Sequence, residues 1–253
     1  MHQSAECRCC CGLDEALAAS YQRALHPFGC NRVLSPNPPH DCPLCPRLVA
    51  YRHENRARFP EWFNGPVPNW GDPAPRVVIV GLAPGVRGAN RTGRPFTGDY
   101  AGDLLYATLL RFGLATGVFE ARPDDSLELT GATIVNGVRC VPPQNKPTPA
   151  EINTCRRFLT ATIEAVPEAP VYLALGRIAH ETLLRAFGLP LRLYPFGHGT
   201  EHALPDGRRL FDSYHCSRYN TNTGVLTTAM FEDVVGRAAL RGEELAKLAR
   251  QER

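Results

Sequence analysis

Ten cysteines, in a chain whose first 30 residues lack a basic start followed by an apolar stretch, are expected to serve metal or redox chemistry rather than an exported disulfide framework. Spacing sorts them. Cys42 and Cys45 form a Cys-x-x-Cys pair in HDCPLCPRLVAY, Cys140 ends the apolar run TIVNGVRC, and Cys155 follows after fourteen intervening residues. Four thiolates so arranged suit zinc or a [4Fe-4S] cluster, and unrelated buried cysteines are the third reading. Cys7, Cys9, Cys10 and Cys11 crowd into CRCCCG, where neighbouring side chains point apart and close poorly around one ion, so they read as tail residues. Cys30 and Cys216 have no partner by spacing and read as small buried hydrophobes.

A second chemistry sits in GLAPGVRGANRTGRPFTGDY, from Gly81 to Tyr100. Its glycines let the backbone approach a ligand closely and leave amides free to hold an anion or a base edge. The segment is neither Gly-x-x-x-x-Gly-Lys-Ser/Thr nor Gly-x-Gly-x-x-Gly, and no Lys follows it, so a nucleotide hydrolase would lack its central charge. Phe96 offers an apolar plate and Asp99 a carboxylate just before the next helix. Asn136, inside an apolar run, needs partners for its amide, which can read the edge of a base or bond a neighbouring loop. His215 and Ser217 leave the last apolar run in SYHCSRYNTNTGVLT. A histidine there can donate to developing negative charge, or be an ordinary packed residue.

Regular elements must hold these groups. RVVIVGL at 76–82, TIVNGV at 133–138, VYLALG at 171–176 and LFDSYH at 210–215 alternate with helical patterns near 100–113, 149–165, 177–188 and 224–250. This alternation predicts a parallel sheet covered on both faces, with function at the carboxyl ends of the strands. PRLVAYRHENRAR suits an amphipathic helix starting at the second thiol. Thr148, Pro149 and Glu151 predict a capped helix start that carries Cys155 on its second turn. Pro60 to Pro75, with five prolines and two Trp, reads as an ordered loop. Residues 1–40 read as an irregular, partly disordered N-terminal extension and 41–253 as one domain without internal repeats.

Composition bounds the rest. At 253 residues, 43% hydrophobic and 21% charged, the chain can bury a sizeable core, which excludes wholesale disorder and collagen-like or coiled-coil architectures. No apolar run approaches the roughly 20 residues that cross a bilayer, so a cytoplasmic chain without a membrane partner is expected, and a monomer, since no long apolar surface helix calls for a second copy. Basic residues are 26 Arg and two Lys, for a net charge of +3. Residues 47–99 carry a charge of +4 and residues 139–157 of +3, so positive charge gathers around particular loops, as a phosphate-binding face requires. Solvated surface arginines give the same pattern.

Together these motifs resemble the family 5, or type b, uracil-DNA glycosylases of the uracil-DNA glycosylase superfamily. The likeness covers roughly residues 40–235 and rests on GLAPGVRGANRTGRPFTGD, TIVNGVRCVPPQNKPTPAE leading to Cys155, HDCPLCPRLVAYR and HCSRYNTNTGVLT, in that family's order. Family 4 enzymes are similar too but typically carry Glu where this chain has Leu82, and Asp99 further favours family 5. The resemblance implies an α/β fold with three α/β/α layers around a central four-stranded parallel sheet. It also implies a structural [4Fe-4S] cluster held by Cys42, Cys45, Cys140 and Cys155.

The implied reaction is hydrolysis of the N-glycosidic bond of a deaminated base flipped out of DNA. Asp99 and His215 would be catalytic, Phe96 would stack on the flipped ring, and Asn136 would bond the uracil edge. Gly81, Ala83 and Gly85 would shape the pocket wall. Ser217 would bond a phosphate, Arg218 or Tyr219 would fill the gap left by flipping, and the QNKP loop would meet the DNA backbone. Cys216 stands where Pro or Val is usual and Tyr219 where Gln is more typical, which puts wedge geometry and lesion preference in question. Members of this type often accept hypoxanthine, hydroxymethyluracil and etheno-cytosine as well. Two other classes compete: a damage-binding or covalent-trapping protein of the same fold, and a zinc-stabilised hydrolase of free nucleotides.

Overall fold

A computed structural model describes residues 35–251. Cys7, Cys9, Cys10, Cys11 and Cys30, with most of the expected extension over 1–40, lie outside the described residues. In chain order the elements are α1 (Pro46–Arg58), β1 (Trp70–Gly71), β2 (Val77–Gly81), α2 (Ala89–Thr92), α3 (Tyr100–Arg111), β3 (Ala115–Thr116), β4 (Glu128–Leu129), β5 (Ala132–Asn136), α4 (Pro149–Ala165), β6 (Val171–Leu175), α5 (Arg177–Ala186), β7 (Glu201–Ala203), β8 (Arg209–Ser213), α6 (Arg218–Asn222) and α7 (Thr228–Gln251).

Every residue of β2, β5 and β6 is buried, which explains why their sequences read as continuous apolar runs without alternation. Both faces of these strands are covered. Val77 and Ile79 pack with Leu105 and Leu109 of α3 and with Phe231 and Val234 of α7. Val78 and Val80 face the other way, against Leu159 of α4 and Leu183 of α5. The result is three layers, helices on sheet on helices. No helix among the described residues is long and apolar enough to cross a membrane.

The four expected strands form the parallel centre, in the order β5, β2, β6, β8. The sheet nevertheless has six strands, because β1 and β7 add antiparallel pairs at its two edges. Each edge strand is two or three residues long and only partly buried, too short for any periodicity to register. The parallel register sets Gly81 opposite Asn136 at the carboxyl ends of β2 and β5.

The predicted start of α4 forms as a reciprocal cap. Thr148 accepts from the Glu151 amide at 3.3 Å, while Glu151 accepts from the Thr148 amide at 2.7 Å. Glu151 also takes two bonds from Arg47 of α1, at 2.7 and 2.8 Å, and so ties the helix after Cys45 to the helix bearing Cys155.

Candidate active site and cysteine cavity

The carboxyl ends of the central strands open onto a cleft of about 570 Å³. It brings together Ala83, Gly85, Phe96, Asp99, Asn136, His215, Ser217 and Arg218. Gly81 works by absence: a Cβ there would stand 2.5 Å from Asn136 Oδ1 and 3.0 Å from Phe96 Cζ. Tyr219 does not line the cleft and is 74% exposed. Arg87 and Asn145, both exposed, line its mouth. The glycine-rich loop and the QNKP turn were the available signals for these two.

Phe96 sits at φ +51, a left-handed conformation uncommon for a bulky residue. Its neighbours hold it there. Buried Arg94 pairs with Asp125 through two bonds of 2.7 and 2.8 Å, and its Nε donates to Thr97 Oγ1 at 2.8 Å. Tyr106 donates its hydroxyl to Pro95 O, and the absence of a Cβ at Gly102 admits the Phe96 carbonyl. The Arg94 guanidinium holds the Asp125 carboxyl well below the usual carboxylate range.

Asn136 is 3% exposed, and its side-chain amide bonds no other described residue. Asp99 stands at the N-cap position of α3 in an extended conformation, and among the described residues its buried Oδ1 has no partner. Burial pushes its carboxyl above the ordinary range, while the amides of Ala101 and Gly102 at the helix start pull against the shift. His215 lies beside Phe96, ring centres 5.9 Å apart, and burial pushes its pKa down to about 4. Its ring is therefore neutral near pH 7 and offers an N–H without a full charge.

The segment after His215 is self-braced. Ser217 caps α6 by accepting from the Asn220 amide at 3.4 Å, and the Asn220 side chain donates to the His215 carbonyl at 2.8 Å. Arg218 projects over the Tyr100 ring at 5.2 Å. Cys216 is fully buried in the core, as a small apolar residue would be.

Cys42, Cys45, Cys140 and Cys155 line one apolar cavity between α1, the strand exit after β5, and α4. Burial pushes the Cys140 thiol up to about 12 and the Cys155 thiol up to about 11. Donors already point at sulfur: the Arg139 amide lies 3.3 Å from Cys155 Sγ and Arg52 Nη1 lies 3.8 Å from Cys140 Sγ. Among the described residues no three thiols lie within 4.8 Å of one another. A single tetrahedral zinc, with Zn–S near 2.3 Å, would need sulfurs about 3.8 Å apart, closer than any three of these thiols stand.

One cluster went unread in the sequence. Among the described residues, His180, His202 and Asp212 are the one group of three that brings ligand-type atoms within 4.8 Å of one another. Here they bond each other. Asp212 meets His180 Nδ1 at 2.7 Å and His202 Nε2 at 3.2 Å, while His180 Nε2 meets the Tyr194 carbonyl at 2.8 Å. This network fastens β7 and its approach to the sheet edge.

Comparison with known proteins adds the family. A model described as the uracil DNA glycosylase superfamily matches residues 68–238. The type-5 uracil-DNA glycosylase of Thermus thermophilus is 50% identical over 200 residues, which is 77% of this chain and 90% of that protein. The type-5 enzymes of Mycobacterium tuberculosis and Pyrobaculum aerophilum are 43% and 40% identical, over 76% and 79% of this chain and 75% and 88% of theirs.

Proposed function

Because the chain belongs to the uracil-DNA glycosylase superfamily, with type-5 enzymes among its relatives, we propose that the cleft at the strand ends is where a flipped base is read and cut from its sugar. The protein excises uracil from DNA by hydrolysing the N-glycosidic bond, a step of DNA repair. The observation that carries the site assignment is the convergence of unspent groups in one cleft: among the described residues, Asp99 Oδ1 and the Asn136 amide both lack partners beside Phe96 and His215. The type b reading of family 5 is supported by Leu82 after Gly81 and by Asp99.

The flipped ring stacks on Phe96, while the Asn136 amide donates to a uracil carbonyl and accepts from the ring N–H. As the glycosidic bond lengthens, the sugar becomes cationic and the base anionic. Asp99 stabilises the first and orients water for attack. His215, neutral, donates to the base oxygen and needs no reorganisation to do so. Ser217 and Arg218 meet the backbone. Tyr219 is available as the wedge because it stands free of the cleft. A pocket of one plate, one amide and backbone accommodates hypoxanthine as well. Cleavage stops at the abasic site, since no amine is placed among the groups assigned to the cleft.

The four cysteines hold a [4Fe-4S] cluster. Four thiols lining one apolar cavity support it, and when bound it would supply a structural cross-link rather than a reacting group. Cys42 and Cys45 then hold α1, and Cys140 and Cys155 hold both ends of the basic QNKP loop, which presents Asn145 and Lys146 to DNA.

The test is base release from a duplex bearing one uracil, followed by alkaline cleavage, with wild type beside Asp99→Ala. Strand breakage by wild type alone supports the assignment, and equal breakage by both removes Asp99 from the mechanism. Binding without breakage by wild type would favour the damage-binding class instead.

A further inference from the structure

Arg52 and Arg139 line the cysteine cavity, and both are almost wholly enclosed, at 2% and 0% exposure. A guanidinium cannot shed its charge, so enclosure calls for a counter-anion. Elsewhere in this fold the rule is kept: buried Arg94 has Asp125. Neither Arg52 nor Arg139 is ion-paired to a carboxylate among the described residues. Arg52 reaches the Cys42 carbonyl at 3.1 Å and Cys140 Sγ at 3.8 Å. Arg139 reaches the Pro36 carbonyl and Thr162 Oγ1, both at 3.1 Å, and the Val67 carbonyl at 3.5 Å. Each leaves its Nε buried without a partner among the described residues. Carbonyls and a hydroxyl satisfy hydrogens but not charge.

We propose that Arg52 and Arg139 are counter-cations built into the fold for an anionic tetrathiolate centre. The inference rests on the reading of the cavity as a cluster site. Four thiolates carry four negative charges and a [4Fe-4S] core in its oxidised form two positive ones, leaving two, which the two guanidiniums balance. Arg52 acts on the centre directly through Cys140 Sγ, whereas Arg139 also braces the residues around Val67 and Thr162.

The decisive variant is Arg52→Met, which keeps the apolar stem and removes the charge, beside Arg52→Lys, which keeps a charge. The full-length chain is purified without oxygen. Iron, sulfide and zinc per chain, the half-time of metal loss to a chelator, and the midpoint potential are then measured. Arg52→Met is expected to lose its metal roughly 10-fold faster or more, the scale of lost support around metal ligands. Its potential is expected to move negative, because reduction adds charge that one cation no longer offsets. Arg52→Lys should recover much of both effects. Wild-type half-time and potential in Arg52→Met would overturn the proposal even if Arg139→Met fails to fold. Zinc without iron or sulfide in the wild type would instead overturn the cluster reading, and the chelator half-times and Lys rescue would still judge the arginines.

Discussion

Gly88 and Asp99 share one space: a Cβ on Gly88 would stand 2.1 Å from Asp99 Oδ2. The carboxylate is seated where it is because residue 88 has no side chain, and Gly85, whose Cβ would lie 3.1 Å from the same oxygen, bounds it on another side. A loop glycine thus sets the position of the group assigned to the chemistry. Gly88→Ala should displace the carboxylate and lower the single-turnover rate by up to about 100-fold, the scale of an ångström-sized misplacement, while uracil-duplex affinity stays near wild type. An unchanged rate would mean that the Asp99 position does not matter.

Two ionisable groups of the cleft, Asp99 and His215, are displaced from their usual values. Asp99 is raised by burial, so it protonates at higher pH than an exposed aspartate, whereas His215 is lowered to about 4 and stays neutral until strongly acidic pH. As pH falls, the Asp99 carboxylate is lost from higher pH than an exposed aspartate would be. The rate should therefore show an acid limb with its inflection above 3.8, the ordinary value. Asp99→Asn should be slow and lack that limb. A limb that survives in Asp99→Asn would assign it to another group.

His215→Leu should cost roughly 100-fold to 1000-fold in rate, the loss seen when one donor to a developing anion is removed. Its stability should also respond. The unfolded histidine binds protons from 6.5 downward while the folded one resists to about 4, so the wild type loses stability as pH falls through that window. Thermal melts of His215→Leu should show a shallower fall there. Parallel melting curves would show that His215 titrates alike in both states.

Gly81→Ala tests recognition rather than chemistry. The added carbon would meet Asn136 Oδ1 and Phe96 and push aside both the reading amide and the stacking plate. Affinity for a uracil duplex should fall while affinity for a duplex with an abasic site holds. An equal loss for both duplexes would point to general unfolding of the β2 exit.

DNA affinity should fall steeply with salt, and Arg87→Ala and Arg218→Ala should each reduce the logarithmic salt slope by about 0.9, one released counterion per lost phosphate contact. Both residues are exposed at the rim of the cleft. A slope unchanged in both variants would place the phosphate track elsewhere.

What the amino-acid sequence determined by itself is what short-range physics writes. Short apolar runs specify the four central strands, the Thr148 to Glu151 cap specifies the start of α4, and the lack of side chains at Gly81 and Gly85 marks a loop made for close approach. The four cysteines and the cleft residues Phe96, Asp99, Asn136 and His215 were legible because each sits at a marked place on such an element. The edge strands β1 and β7 were not, since two or three residues carry no period. Nor were the network of His180, His202 and Asp212, the burial of Arg52 and Arg139 away from every carboxylate among the described residues, or the seat that Gly88 leaves for Asp99. These depend on which distant residues the sheet and helices bring face to face. Burial, and with it the cost of a lone charge or the shift of a pKa, exists only once the layers have closed and water has been excluded.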